Sequence, residues 1–253
     1  MHPVLFKIGP LTLHTYGFFV ALGFLLGLTW CGYESRRRGL DPEIFHDLFF
    51  YVVITAIVGA RLLYVALNFS YFRSTPLAVF RIWEGGLVFY GGLLAALPAL
   101  IWRLRHWRKP VLQILDIAAP GLVLAQAVGR LGCLSAGCCY GKVCSGRLAI
   151  IFSDPLSHAP LHVPLYPTQI FHAVADALIF IFLAWLSRRT STRGLVTVAY
   201  FILYGFCRFV IEFWRGDPRG FYAGLSTSQW ISLLLLVGGI VLWRLKVKGT
   251  DDV

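Results

Sequence analysis

Two arginines in unusual company are the residues of this sequence best equipped for chemistry. Arg130 lies in the run G-R-L-G-C-L-S-A-G-C-C-Y-G, from Gly129 to Gly141. Its four glycines let backbone approach a ligand closely, and a guanidinium there grips phosphate through two parallel hydrogen bonds. The same residue also suits an interfacial anchor for lipid head groups. Arg208 and Glu212 lie four apart in Y-G-F-C-R-F-V-I-E-F-W-R, and Tyr204 precedes Arg208 by one turn, so a helix places all three on one face. They form either an intrahelical ion pair or part of an anion site. Arg before Glu is the weaker order for a pair, and Arg215 on the same side adds cationic capacity beyond one carboxylate. Arg61, in G-A-R-L-L-Y, is a charge inside an apolar stretch. It is either functional or paired with Asp176 or Glu212.

Cys133, Cys138, Cys139 and Cys144 fall within twelve residues. They contain no C-x-x-C, and adjacent Cys138 and Cys139 are a poor start for a tetrahedral site. The expectation is therefore buried thiols or a disulfide, for example from Cys144 to one of the others, and no metal. His158, His162 and His172 lack metal-ligand spacing and read as surface histidines. Asp116 and Asp176 read as helix-packing residues or partners of the arginines.

Such residues need a scaffold, and the composition names its solvent. Of 253 residues 58% are hydrophobic and only 14% charged, with a mean hydropathy of +0.71, against about 25% charged in soluble domains. This predicts an all-α polytopic membrane protein. Apolar stretches of spanning length centre on seven segments: Tyr16–Trp30, Phe49–Leu67, Val88–Trp102, Val111–Val128, Ile170–Leu186, Leu195–Phe213 and Trp230–Trp243. The whole chain, 1–253, reads as one transmembrane domain, with 129–167 as a small extracytoplasmic cap that includes a β-like run at Leu148–Phe152. Thirteen basic residues crowd the short odd-numbered connections and the tail, such as Arg36–Arg38 and Arg103–Lys109, and eight are spread along the opposite side. The positive-inside rule then puts the N-terminus outside and the C-terminus in the cytoplasm. Most of the net charge of +11 is thereby topology, and a nucleic-acid partner loses its motive.

Several motifs in one frame resemble the prolipoprotein diacylglyceryl transferases. They are the Gly129–Gly141 run, Y-G at Tyr16, G-A-R at Arg61, G-G-L-V-F-Y-G-G at Gly85–Gly92, P-T-Q at Pro167–Gln169 and Y-G-x-x-R-F-x-x-E at Tyr204–Glu212. The resemblance covers nearly the whole chain and implies a cofactor-free, multi-pass enzyme of the bacterial inner membrane, a monomer by default. Its substrates would be phosphatidylglycerol and the lipobox cysteine of a prolipoprotein signal peptide. The diacylglyceryl group would pass to the thiol as a thioether, releasing glycerol 1-phosphate. By motif, Arg130 and Arg208 would bind the phosphate, Glu212 would orient Arg208 or Arg215, and Tyr16, Tyr204 and Gln169 would contact the head group. Gly141 would close the loop at the site mouth, and Arg61, Gly91 and Gly92 would belong to the substrate-binding set.

The sequence departs from the family pattern at five polar positions. Tyr90 stands where the family has a histidine often assigned as general base, Cys133 where it has asparagine, and Cys138 where it has an acidic residue. Tyr166 and His172 replace a histidine and a glutamate around the P-T-Q segment. Tyr90 is accordingly expected to be catalytic in the histidine's place, with solvent or the phosphate as other acceptors of the thiol proton, and Cys133 to contact substrate. Two other functions fit parts of the pattern: a paralogue that binds phospholipid or precursor without transfer, and a membrane thiol oxidoreductase, which lacks the C-x-x-C expected of it.

Overall fold

The computed structural model describes residues 2–9, 11–82, 85–108 and 110–248. Helix dominates the described residues, chiefly in eight α-helices: α1 Thr15–Arg37, α2 Glu43–Leu67, α3 Phe69–Ser74, α4 Phe89–His106, α5 Val111–Ala136, α6 Thr168–Arg189, α7 Leu195–Ile211 and α8 Thr227–Lys248. Three two-stranded antiparallel ribbons complete it: β1 Val4–Ile8 with β2 Leu11–His14, β3 Ile150–Ile151 with β4 Pro164–Leu165, and β5 Phe221–Tyr222 with β6 Leu225–Ser226.

Among the described residues, six helices are long and apolar enough to cross a membrane: α1, α2, α5, α6, α7 with its following turn, and α8. The stretch expected as the third span, Val88–Trp102, forms the helix α4. It falls short of that standard because its 18 residues end in Arg103, Arg105 and His106. The apolar faces of the qualifying helices point outward, as at Leu25, Ile54, Leu178 and Leu234, which suits lipid and not water.

The chain folds as two compact units, Met1–Glu34 with Leu115–Val253, and Ser35–Ile114. In the larger unit Ala119 and Val123 of α5, Ile179 and Leu183 of α6, and Val196 and Tyr200 of α7 form one buried cluster. Helix α1 meets α5 through small residues at matching spacing. A Cβ on Gly23 would lie 2.8 Å from the Ala125 carbonyl oxygen, and one on Gly27 would lie 2.8 Å from that of Gly121. Close backbone approach of this kind replaces the hydrophobic drive that lipid removes. Asp116 of α5 caps α7: its carboxylate accepts hydrogen bonds from the Gly194 and Thr197 amides and from the Thr197 hydroxyl. The carboxylate meets the positive end of the helix dipole and satisfies donors left over by the first turn. Asp116→Ala is expected to lower stability by about 2 kcal/mol, with Asp116→Asn recovering most of it, as read by thermal unfolding in detergent.

Gly129, the expected start of the cap, is not a helix end. Helix α5 runs on through Arg130 and Cys133 to Ala136 and stops where Gly137 takes φ +74°. Gly132 does not break it, because the position packs against Tyr16 and Phe19 of α1. The β-like run is present as β3, and Phe152, Ala159 and Leu165 bury a small core beneath it.

In the smaller unit α2 and α4 cross at Gly59, Gly91 and Gly92. A Cβ on Gly59 or Gly91 would collide with the carbonyl of the other, and one on Gly92 would lie 3.0 Å from the Ala56 oxygen. Gly91 and Gly92, expected in the substrate-binding set, are thus occupied with helix packing.

Candidate functional site

The larger unit holds a dense set of buried polar groups, contributed by α5, α6, α7 and the segment that follows α7. Arg208 of α7 places Nη1 3.2 Å from Nε2 of His172 on α6 and donates from Nη2 to the Ser228 hydroxyl at 3.1 Å. His172 is not the surface histidine expected: it is buried, and within electrostatic range of Arg130, Arg208 and Arg215. Asp176, one turn further along α6, is buried with Oδ2 unpartnered among the described residues and lies in the field of Arg130 and Arg208. Tyr204 is within range of both arginines and stacks on Tyr200 with ring centroids 5.4 Å apart; the Tyr200 hydroxyl donates to Gln126.

Arg215 arrives by a different route from the one its spacing implied. Helix α7 ends at Ile211, Glu212–Trp214 tighten into a 3-10 turn, and Arg215 is extended. The shared face of Tyr204, Arg208 and Glu212 therefore does not continue to Arg215. Backbone pairing with Gly141 positions it instead: the Gly141 amide bonds the Tyr166 carbonyl, the Lys142 amide that of Trp214, and the Gly216 amide that of Tyr140. A Cβ on Gly141 would lie 2.5 Å from the Tyr166 oxygen, so only glycine threads this gap.

Glu212 is expected to orient Arg208 or Arg215, and its ion-pair partner proves to be Arg219, at 3.5 Å, with the Ser226 hydroxyl donating to the same carboxylate. Arg215 is held by Asp217 through two parallel bonds of 2.8 and 2.9 Å. Burial opposes its charge, but Asp217 and Cys139 hold its pKa above the ordinary arginine value. Asp217 also accepts from Arg219. Arg215 and Arg219 are thereby largely neutralised. The hydrogen-bond partners of Arg208 carry no acid, and the side-chain partner of Arg130 among the described residues is the Cys139 sulfur at 3.9 Å. Two half-buried guanidiniums with unspent donors, beside a histidine and a tyrosine, make a receptor for a small multivalent anion.

The P-T-Q segment supports the loop after α5. Thr168 donates to the Cys139 carbonyl and Gln169 to that of Cys138, both at 2.8 Å. These bonds hold Cys139 at φ +60°, a conformation costly for a residue with a side chain. The Gln169 Oε1 atom is buried and unpartnered among the described residues. The cysteines are all free thiols, with Cys133 and Cys144 buried, so of the two expected arrangements the thiols are the one present. Sulfur hydrogen bonds from Cys133 and Cys138, with the charges of Arg215 and Arg130, hold the Cys139 thiol below its ordinary pKa, and the same sharing pushes Cys138 up. Tyr16 is half exposed and lines a cavity of about 510 Å³ with His14, Cys138 and His158.

Of the other expected site residues, Tyr90 stands 44% exposed in the first turn of α4, in the smaller unit. Arg61, in the same unit, pairs with neither acid. Its five N–H groups go to the carbonyls of Ala78, Val79, Arg81, Gly85 and Gly86, and its guanidinium lies near the Tyr64 and Phe72 rings. Sequence reasoning missed Asp217, Arg219 and Ser228 altogether. The i, i+2 spacing of Arg215, Asp217 and Arg219 was the available clue.

A multi-pass membrane protein with a half-buried arginine receptor for an anionic group is the class these observations define. The chain belongs to the family described as prolipoprotein diacylglyceryl transferase, whose pattern it matches over residues 3–245. It is 38% identical over 256 residues to a Clostridium perfringens protein named phosphatidylglycerol-prolipoprotein diacylglyceryl transferase 2, covering 100% of this chain and 98% of that one. Proteins named phosphatidylglycerol-prolipoprotein diacylglyceryl transferase from Clostridium tetani and Paracidovorax citrulli are 35% and 32% identical, over 97% and 95% of this chain and 98% and 94% of theirs.

Proposed function

We propose that the protein transfers the diacylglyceryl group of phosphatidylglycerol to the lipobox cysteine thiol of bacterial prolipoproteins, forming a thioether and releasing glycerol 1-phosphate. The observation that supports this best is the pair Arg130 and Arg208, half-buried with no acid hydrogen-bonded to either among the described residues, beside His172 and Tyr204. Thiolate attack on the glycerol carbon expels a phosphate monoester, and the charge that grows on its oxygens in a water-poor site is what fixed guanidiniums stabilise. Arg130 and Arg208 bind that phosphate, and Tyr204 and Tyr16 contact the head group. Gln169, Gly141, Glu212 and Arg215 position the loops around it, and Cys133 sits in the last turn of α5 beside the anion receptor.

In this reading α4 is a seventh crossing, the N-terminus lies outside and the C-terminus in the cytoplasm, and the segment up to Pro167 forms an outward cap on one membrane domain that acts as a monomer. The acyl chains remain in lipid throughout.

Tyr90, ionised to tyrosinate, is the proton acceptor for the substrate thiol. Tyr90→Phe is expected to lower the rate by about 100-fold, in the usual range for loss of a general base, with KM for the lipid little changed. An unchanged rate passes that role to solvent or to the phosphate. The proposed function itself is tested with the purified protein in phosphatidylglycerol vesicles and a lipobox peptide. A mass gain of one diacylglyceryl group on the cysteine peptide, and none on its serine counterpart, is the expected result. Binding of lipid and peptide with no product would instead support the binding-only paralogue.

A further inference from the structure

The three sulfur atoms of Cys133, Cys138 and Cys139 lie within 4.8 Å of one another, a grouping that phosphate recognition does not use. Spacing alone argued against a metal here, since C-x4-C-C is no zinc signature. The backbone supplies what the spacing lacks. Cys133 is in the last turn of α5, Gly137 reverses the chain at φ +74°, and Cys139 turns it again at φ +60°. Three thiols from one short segment thereby converge.

We propose that Cys133, Cys138 and Cys139 form a binding site for a thiophilic d10 cation, Zn²⁺ or a softer ion of its kind, held by three thiolates. At a Zn–S length of about 2.3 Å, tetrahedral ligands lie about 3.8 Å apart, so the observed grouping closes on an ion with shifts of about 1 Å. Each S–H bond breaks as its sulfur binds the metal, the three protons pass to water, and no electrons change hands. Three thiolates and a divalent ion leave one negative charge, which Arg130, already 3.9 Å from the Cys139 sulfur, is placed to meet. The outer shell that metal sites require is also present: Thr168 and Gln169 hold the carbonyls of Cys139 and Cys138 and so fix the ligand-bearing backbone. Cys138 opens on the cavity of about 510 Å³, which provides an entry path and room for a fourth ligand. Three sulfurs favour an ion over a disulfide, which joins two and strands the third. The bound ion would tie the end of α5 to the loop that carries Cys139 and fix the guanidinium of Arg130 against it.

The test is titration of the reduced, full-length protein in detergent with Cd²⁺, followed by sulfur-to-metal charge-transfer absorption, with Zn²⁺ as competitor. One equivalent is expected to produce the band. Cys133→Ser, Cys138→Ser and Cys139→Ser should each weaken binding by at least about 100-fold, since loss of an outer-shell partner alone costs 10- to 100-fold; Cys144→Ser and Cys207→Ser should leave it unchanged. Zn²⁺ should also raise the melting temperature of the parent and not of the three variants. Absence of the band in the folded, reduced parent overturns the proposal, as does a band that survives Cys133→Ser or disappears in Cys144→Ser. Protein isolated without reductant that holds no metal and has two fewer titratable thiols assigns the cluster to a disulfide, and overturns it too. None of these readouts depends on lipid transfer, so failure of the proposed activity would leave the metal site standing.

Discussion

Arg208→Ala is expected to reduce diacylglyceryl transfer by about 10³-fold and Arg130→Ala by a similar factor, the scale of losing one preorganised donor to a developing oxyanion. The loss should fall mainly on kcat, because the phosphate already carries charge in the bound lipid and gains more as the carbon–oxygen bond breaks. Arg208→Lys should recover only part of the activity. An ammonium supplies charge, but it lacks the planar fork that reaches His172 and Ser228 while leaving donors for substrate. The double variant should be little worse than either single one, since two groups that clamp one phosphate act as a unit. Arg147, exposed in the loop after α5, is the control, and its alanine variant should transfer normally. In a cell depleted of its own transferase, the parent should restore growth, and the Arg130→Ala and Arg208→Ala variants should not. Transfer within threefold of the parent by both variants would remove the arginine clamp from the mechanism.

What the sequence disclosed about this site depended on the range of the interactions. Helix periodicity placed Tyr204, Arg208 and Glu212 together correctly, because α7 continues as far as Ile211. The same reasoning failed one residue later, where the chain tightens and then extends, and the partner of Glu212 became Arg219. His172 looked like a surface residue because its neighbours in sequence lie near a polar segment. Its burial comes from helices α5 and α7, whose approach to α6 no local pattern encodes. The apolar stretches gave six helices of spanning quality directly. The end of helix α4 was harder, since its basic residues read as a loop by composition, whereas the helix runs on to His106 with the Arg103 guanidinium over the Tyr51 ring of α2. Metal-like convergence of the cysteines was invisible for a related reason: it rests on left-handed backbone at Gly137 and Cys139, whereas spacing rules assume regular structure.

Arg61 separates the two kinds of intramembrane arginine. A charge in an apolar helix is by default a functional candidate, and its position in G-A-R put it in the substrate-binding set. Yet a guanidinium has five N–H donors, and the structure accounts for all five on the carbonyls of the segment between α2 and α4. No donor remains for a phosphate. Arg61→Ala is therefore expected to destabilise the smaller unit by about 3 kcal/mol or more, since each net bond to a charged group contributes about 1.5–3 kcal/mol and water recovers part of the loss where the carbonyls are exposed. Arg61→Lys should recover little, because three donors on a tetrahedral centre cannot serve five carbonyls in one plane. The signature is faster proteolysis of the segment at 75–82 and a lower melting temperature. The fraction of Arg61→Ala that stays folded should keep a near-parental KM for phosphatidylglycerol. A direct phosphate ligand would behave in the opposite way, with a normal melt, a protected loop and a KM raised tenfold or more, and that result would return Arg61 to the anion site.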